Sequence, residues 1–163
     1  MIKDKKVIRD ILEQSEKFFH TKEDDEQIET TFEVVEKLQK IHPSSIVCRY
    51  DGNDLIGHVS ILPTSKDLMN KFINKEINEK KLFELTIPQE RYEAIYLLAA
   101  VVEPKYQKNG IATEMLLEAI KGVPLLKNPV LFYWPFTKSG EKLAQKVASI
   151  LKMTLEGRKN IFE

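Results

Sequence analysis

The residue types whose order could do chemistry lie between Tyr96 and Ala119. An apolar run, Tyr96-Leu97-Leu98-Ala99-Ala100-Val101-Val102, meets Glu103-Pro104. The turn Lys105-Tyr106-Gln107-Lys108-Asn109-Gly110-Ile111-Ala112 follows, and a helical pattern begins at Thr113. The order is strand, glycine-bearing loop, helix N-terminus. A helix start presents backbone N–H groups without partners and partial positive charge, which suits an anion such as a phosphate. Gly110 lets backbone approach a ligand with no Cβ in the way. Pro104 cannot donate to a sheet ladder and helps to end the strand. The phosphate loop with Gly-Lys-Ser/Thr is absent, and so is the three-glycine dinucleotide pattern, since Gly110 is the only glycine of this loop. An ordinary strand-to-helix turn with a cap would share the bare geometry.

The finer spacing is more specific. Val102, Pro104, Gln107, Gly110 and Ala112 fill a pattern of Val-x-Pro, two residues, then Arg/Gln-x-x-Gly-x-Gly/Ala. That pattern resembles the acyl-CoA signature of the GNAT superfamily of N-acetyltransferases. The hairpin Asp51-Gly52…Ile56-Gly57 upstream also resembles the family. The resemblance is sharp from Ile95 to Leu117 and extends, as element order, over about 45–162. It implies an α/β fold with a mixed central sheet flanked by helices, and acetyl-CoA as cosubstrate.

By the same resemblance, the cofactor strand splays from its neighbour. The backbone of Ala100, Val101 and Val102 would then hold the pantetheine arm, with the Val102 N–H polarising the thioester carbonyl. The N–H groups of Gln107, Lys108, Asn109, Gly110, Ile111, Ala112 and Thr113 would hold the pyrophosphate, with Lys105 and Lys108 adding charge. A base on or near the cofactor strand would take the amine proton. Glu93 and Glu103 are the candidates, although each reads more readily as a surface residue, and Glu93 is preferred. Relatives carry a tyrosine acid in the last helix, but Ala148 stands at that position here. Tyr133, Tyr106 or solvent would then protonate the leaving thiolate, and Tyr133 is preferred. A thiol has a pKa of about 8.5, so loss of the acid would slow the reaction without forbidding it.

The elements that must position these groups are legible in outline. Lys6 to Phe19 reads as a helix, with Val7, Ile8, Ile11, Leu12, Ser15, Phe18 and Phe19 at helical spacing. A loop over Thr21–Gln27 leads to a second helix, Ile28 to Ile41, broken by His42-Pro43. Ser45–Tyr50 and Leu55–Leu62 form a hairpin around Asp51-Gly52-Asn53-Asp54. Ser65 to Ile73 reads as a capped helix, and Asn74 to Leu85 is charged and mixed. Compared with the family, about 64–90 looks like an insertion of the kind that shapes substrate sites, or simply a surface loop with a helix. After the Gly110–Lys121 helix come a strand (Val130–Trp134), a helix (Gly140–Lys152, capped by Thr137 or Ser139) and a closing strand or hairpin from Met153 to Phe162. One crossover is expected, from Tyr96–Val102 to Val130–Trp134 through the Gly110 helix. The family's opening strand is not visible, because Met1-Ile2 is too short for one.

Composition bounds the rest. The 163 residues fit one domain, 1–163, and 42% hydrophobic content suffices for a core. Lys+Arg and Asp+Glu number 25 each, so net charge offers nothing to nucleic acid or an anionic membrane. A charged N-terminus without an apolar stretch and a lone Cys48 suggest the cytoplasm. Three scattered histidines and one cysteine make no metal-ligand spacing. His20 and His42 read as helix ends, His58 as a satisfied sheet histidine, Cys48 as a core residue, and Trp134 as core or pocket lining. The acceptor is expected to be a small-molecule or peptide amine. The apolar Tyr133–Phe136 segment is able to serve a homodimer. Two other functions fit the residues: a non-catalytic acyl-CoA-binding module, favoured by Ala148, and a protein–protein adaptor built on the two N-terminal helices.

Overall fold

The computed structural model describes residues 2–19 and 26–159. His20, the loop at 21–25 and the closing segment at 160–163 lie outside the described residues. Five strands form one mixed sheet in the order β1-β2-β3-β4-β5: β1 (Ile46–Asp51), β2 (Asp54–Thr64), β3 (Tyr92–Val102), β4 (Leu125–Tyr133) and β5 (Thr154–Gly157). The first three are antiparallel neighbours, and β3, β4 and β5 run parallel. Helices α1 (Lys5–Phe19), α2 (Phe32–Ile41), α3 (Lys66–Ile73) and α4 (Glu79–Leu85) cover one face; α5 (Ile111–Lys121) and α6 (Lys138–Leu151) cover the other. No described helix is long and apolar enough to cross a membrane.

Several boundaries differ from the sequence-based expectation, each for a local reason. α2 starts at Phe32, not Ile28, because the Thr31 hydroxyl accepts the Val34 N–H at 3.2 Å and caps the helix there. The Ile28 N–H is taken by Glu79 Oε1 at 2.8 Å instead. β3 starts at Tyr92 rather than Tyr96; buried Tyr92 and Ala94 alternate with half-buried Glu93, which interrupts the apolar run. β4 starts at Leu125 rather than Val130, with Asn128 in left-handed backbone at φ 56°. Asn74 to Leu85 contains a true helix, α4, capped by Asn78. A second parallel crossover, β4–α6–β5, joins the expected one. Of the two caps considered for α6, Thr137 is used, accepting the Gly140 N–H at 3.0 Å. No strand precedes α1 among the described residues.

Two features of the fold matter for the site. β3 pairs with β4 only as far as Tyr96 opposite Phe132. From Leu97 to Val102 it keeps β2 as a partner but has none on the other side, so the sheet opens into a cleft. In addition, Ser60 stands opposite Ala99 while Ile61 stands opposite Leu97, so Leu98 is an extra residue, a bulge that bends β3 at the mouth of the cleft.

Gly57 lets β2, β3 and α5 meet closely. A Cβ there would lie 2.7 Å from the Val101 carbonyl oxygen and 3.1 Å from the Met115 methyl. The backbone oxygen cannot retreat without loosening the ladder. Gly57→Val is expected to destabilise the protein by roughly 2 kcal/mol through overpacking. Urea unfolding would read this, and an unchanged midpoint would mean that the strands are not this close.

Candidate active site

The open edge of β3 carries a defined set of backbone groups. Glu103 N–H donates to the Ile56 carbonyl at 2.8 Å. In an antiparallel ladder, hydrogen-bonded and non-bonded pairs alternate. Val101, opposite His58, therefore bonds to β2, whereas Ala100 and Val102 turn their N–H and C=O groups into the cleft. Gln107 Nε2 donates to the Val102 carbonyl at 2.9 Å, which agrees with that direction.

The cleft leads to the start of α5. Lys108 (φ 68°) and Gly110 (φ 77°) are both left-handed, so successive amides curl around one point. Gly110 is the residue before the first turn and brings no side-chain cap. The first bond across the helix start is Glu114 N–H to the Gly110 carbonyl, 3.0 Å. Among the described residues, no protein acceptor takes the N–H groups of residues 108–113. A Cβ at Gly110 would meet nothing within 4 Å, so space is open beside them. Such a row of amides at a helix start fits a diphosphate. The loop is braced from below by the Asn109 side chain on the Tyr106 carbonyl, 3.3 Å, and by the Tyr106 hydroxyl on Asp51.

The opposite face of the bulge borders a cavity of about 60 Å³. Its wall is largely apolar (Ile11, Val35, Leu38, Leu98), with Ser15, Ser60 and Glu79 as polar points. No described lining residue is cationic. Glu79 is buried; its Oε1 accepts from Ile28 N–H and its Oε2 from the Tyr96 hydroxyl at 2.6 Å. Tyr96 is fully buried; its burial, reinforced by Glu79, raises its pKa well above the ordinary value.

The candidate catalytic groups fall in different places. Glu93 stands at the far end of β3, about 16 Å from the bulge at roughly 3.3 Å per residue. Its carboxylate accepts the Lys66 N–H at 3.0 Å at the start of α3, so it stands away from the open end of the cleft. Glu103 is nearer, but Lys17 (2.9 Å) and Gln14 (3.1 Å) donate to it. Burial would push its carboxyl up, yet those hydrogen bonds outweigh burial and hold it below the ordinary glutamate value. It is a weak base. Tyr133 lies one residue past the last β3–β4 pair, at the mouth of the cleft. Burial, then the Glu141 charge, raises its pKa and keeps the phenol protonated.

Ala148 is a buried residue of α6, with no proton to give. His58 is buried and satisfied between Ser15 and Gln14. Burial pushes the Cys48 thiol up to about 11, which makes it inert. Trp134 stacks on Phe136 at 4.4 Å and over the Arg158 guanidinium at 4.4 Å. Sequence reasoning passed over Ser15 and Glu79. The visible signals were a serine on the apolar stripe of α1 and an acidic residue inside the 64–90 insertion.

A cleft between two parallel strands, beside a bulge and ending at a helix start with no side-chain cap, offers room and backbone donors for an extended anionic ligand. The GNAT acetyltransferase family model matches residues 6–124, nearly three quarters of the chain. The protein belongs to that family, and is an acyltransferase in the general sense. Members typically use acetyl-CoA. The match spans α1 to the end of α5 and stops before β4. No curated protein matches the chain.

Proposed function

We propose that the protein transfers an acetyl group from acetyl-CoA to a primary amine of a small molecule or peptide, by direct attack on the thioester. The observation that carries this reading is the row of amides at residues 108–113, which have no protein acceptor among the described residues, at the end of the β3–β4 cleft. The amides would hold the pyrophosphate, and the Ala100 and Val102 backbone groups the pantetheine arm. The Val102 N–H would polarise the thioester carbonyl. The amine nitrogen forms the new C–N bond as the C–S bond breaks; Tyr133 would protonate the thiolate, and the proton shed by the amine would pass through water to restore the Tyr133 phenol. Alignment by the cleft supplies much of the rate gain.

Thermal unfolding with acetyl-CoA, with CoA and ATP as controls, tests the site. A ligand that binds only the native state at about 100 times its Kd stabilises it by roughly 2.7 kcal/mol. A clear upward shift with acetyl-CoA and little with ATP is expected, followed by amine-dependent thiol release. No shift at millimolar acetyl-CoA would end the reading. A shift without turnover on any amine would favour the non-catalytic acyl-CoA module, the reading that Ala148 supports.

A further inference from the structure

Three buried side chains of α1 and β2 form one hydrogen-bonded line at the wall of the cavity. Gln14 Nε2 donates to the Leu55 carbonyl and to Glu103 Oε1, both at 3.1 Å, so its amide orientation is set. Gln14 Oε1 can then only accept, and the 2.6 Å contact to His58 places a proton on His58 Nδ1. In neutral imidazole the other nitrogen, Nε2, is an acceptor. The Ser15 hydroxyl, 3.2 Å away, must donate to it. Hydroxyl, imidazole, amide oxygen is the order of a nucleophile, its base and the group that orients the base. Ser15 borders the cavity together with Ser60, Leu98 and Ala99. His58 stands opposite Val101, one residue before Val102, so the hydroxyl lies beside the stretch of β3 that faces the cleft.

We infer that Ser15 is a nucleophile that takes an acetyl group from a thioester and passes it to water, a hydrolytic activity separate from transfer to an amine. With acetyl-CoA as the donor, the inference rests on the acetyl-CoA reading. Ser15 Oγ forms a bond to the thioester carbon while its proton passes to His58 Nε2. The C–S bond breaks, and the thiolate takes that proton from Nε2, leaving an acetyl ester on Ser15 and a free thiol. Water then attacks the ester carbon and gives a proton to His58 Nε2. The C–O bond to Ser15 breaks, Oγ takes the proton, and acetic acid leaves. The cavity, about 60 Å³, has room for an acetyl group and a water and excludes a bulky acyl chain. The Val102 N–H, turned into the cleft next to the position opposite His58, can donate to the oxyanion. Burial alone holds the His58 pKa down at about 4. In the reaction the imidazolium forms only as the oxyanion forms, so the buried pair stays neutral as a whole and escapes most of that penalty. The Glu103 carboxylate, accepting from the Gln14 amide, adds negative charge behind the orienting group.

The test gives the full chain two thioesters and no amine: acetyl-CoA, and S-methyl thioacetate, which needs no CoA site. Thiol release above the buffer rate is followed, and acid-quenched protein is digested and weighed for an acetyl group on the peptide that holds Ser15. Release from both donors is expected. Ser15→Ala and His58→Gln should each lower it about a hundred-fold, and the two together no further, because the pair acts as a unit. Ser15→Cys keeps a nucleophile at the same place and should keep the release and carry the acetyl group. Gln14→Leu should slow the release and also move the His58 proton off Nδ1, read by ring-nitrogen NMR, which a purely structural role would not do. A retained acetyl-CoA thermal shift shows each variant to be folded; if Ser15→Ala fails to fold, the unaltered protein and Ser15→Cys decide. Release equal in the unaltered protein and Ser15→Ala, or no acetyl group on residue 15 in either the unaltered protein or Ser15→Cys, would overturn the inference while the acetyl-CoA shift still stands. Absence of that shift in the unaltered protein would instead strike the acetyl-CoA reading, and S-methyl thioacetate would still decide the nucleophile.

Discussion

Replacing Lys108 by aspartate is expected to weaken acetyl-CoA binding roughly thirty-fold while leaving the melting temperature unchanged or slightly raised. The two effects have opposite signs for one physical reason. Lys108 sits in left-handed backbone at φ 68°, a region that aspartate tolerates better than lysine. An anionic side chain near a helix start is itself stabilising, by about 0.3–1 kcal/mol. The N–H groups of residues 108–113 have no protein acceptor among the described residues, so a carboxylate here gives them something to face. The same change removes a positive charge and adds a negative one beside the place where a pyrophosphate would sit. Each ten-fold loss of affinity corresponds to about 1.4 kcal/mol. A two-unit swing in charge at the mouth of the site is enough for roughly 2 kcal/mol, even with solvent screening. Lys108→Asn separates the terms: it keeps the backbone compatible without the repulsion and should retain most of the affinity. Calorimetric titration with acetyl-CoA reads the outcome. If Lys108→Asp binds as tightly as the unaltered protein, the diphosphate does not lie at the α5 start.

The α5 start was legible in the sequence because its signal is local. Val102, Pro104, Gln107, Gly110 and Ala112 are close in sequence, and the chemistry they support is carried by backbone amides a few residues apart. The hairpin around Gly52 was legible for the same reason, since turn chemistry depends on neighbours. The bulge at Leu98 was not, because it is a relation between two strands: Leu98 is extra only when Ser60 and Ile61 are laid opposite it. β3 looked shorter than it is because Glu93 interrupts the apolar run, and Glu93 is tolerated in the strand because the α3 start supplies it with an amide donor.

The cavity beside the bulge was hidden by sequence distance. Ile28 and Glu79 are 51 positions apart, yet both line one cavity, and Gln14 and His58, 44 apart, meet behind Ser15 on its wall. α4 is short and its composition is charged, so periodicity gives little. Its role as the segment that carries Glu79 to the sheet depends on contacts made elsewhere. Arg158 is one of them: its side chain donates to the Phe72 and Ile77 carbonyls and lies over the Phe72 ring, tying α3 and the turn before α4 to β5. The place of Glu93 was hard to read from the sequence for a related reason. Position along a strand fixes which end of the sheet a residue reaches, and the open end of β3 lies at Val102, not at Tyr92.

Acid should strip stability from this protein through His58, over a window set by one buried imidazole. In the unfolded chain a histidine titrates near pH 6.5; in the native protein burial lowers His58 to about 4. Between those values the unfolded state binds a proton that the native state refuses. Stability is therefore fully present above about pH 6.5, falls as the pH drops towards 4, and loses no more from this group below that. A difference of about 2.5 pKa units at 1.36 kcal/mol each amounts to roughly 3 kcal/mol, a large fraction of a typical domain's stability. Urea unfolding from pH 7.5 to 4, with His58→Gln as the non-titrating reference, isolates the contribution from carboxylates that titrate nearby. The gap between the two proteins should change by about 3 kcal/mol across that window and stay flat above pH 7. Parallel curves would mean that the imidazole is not held neutral. The consequence reaches the cavity as well. A proton on Nε2 would turn the 3.2 Å contact round, so that His58 donates to Ser15 and the Ser15 proton is freed towards the cavity.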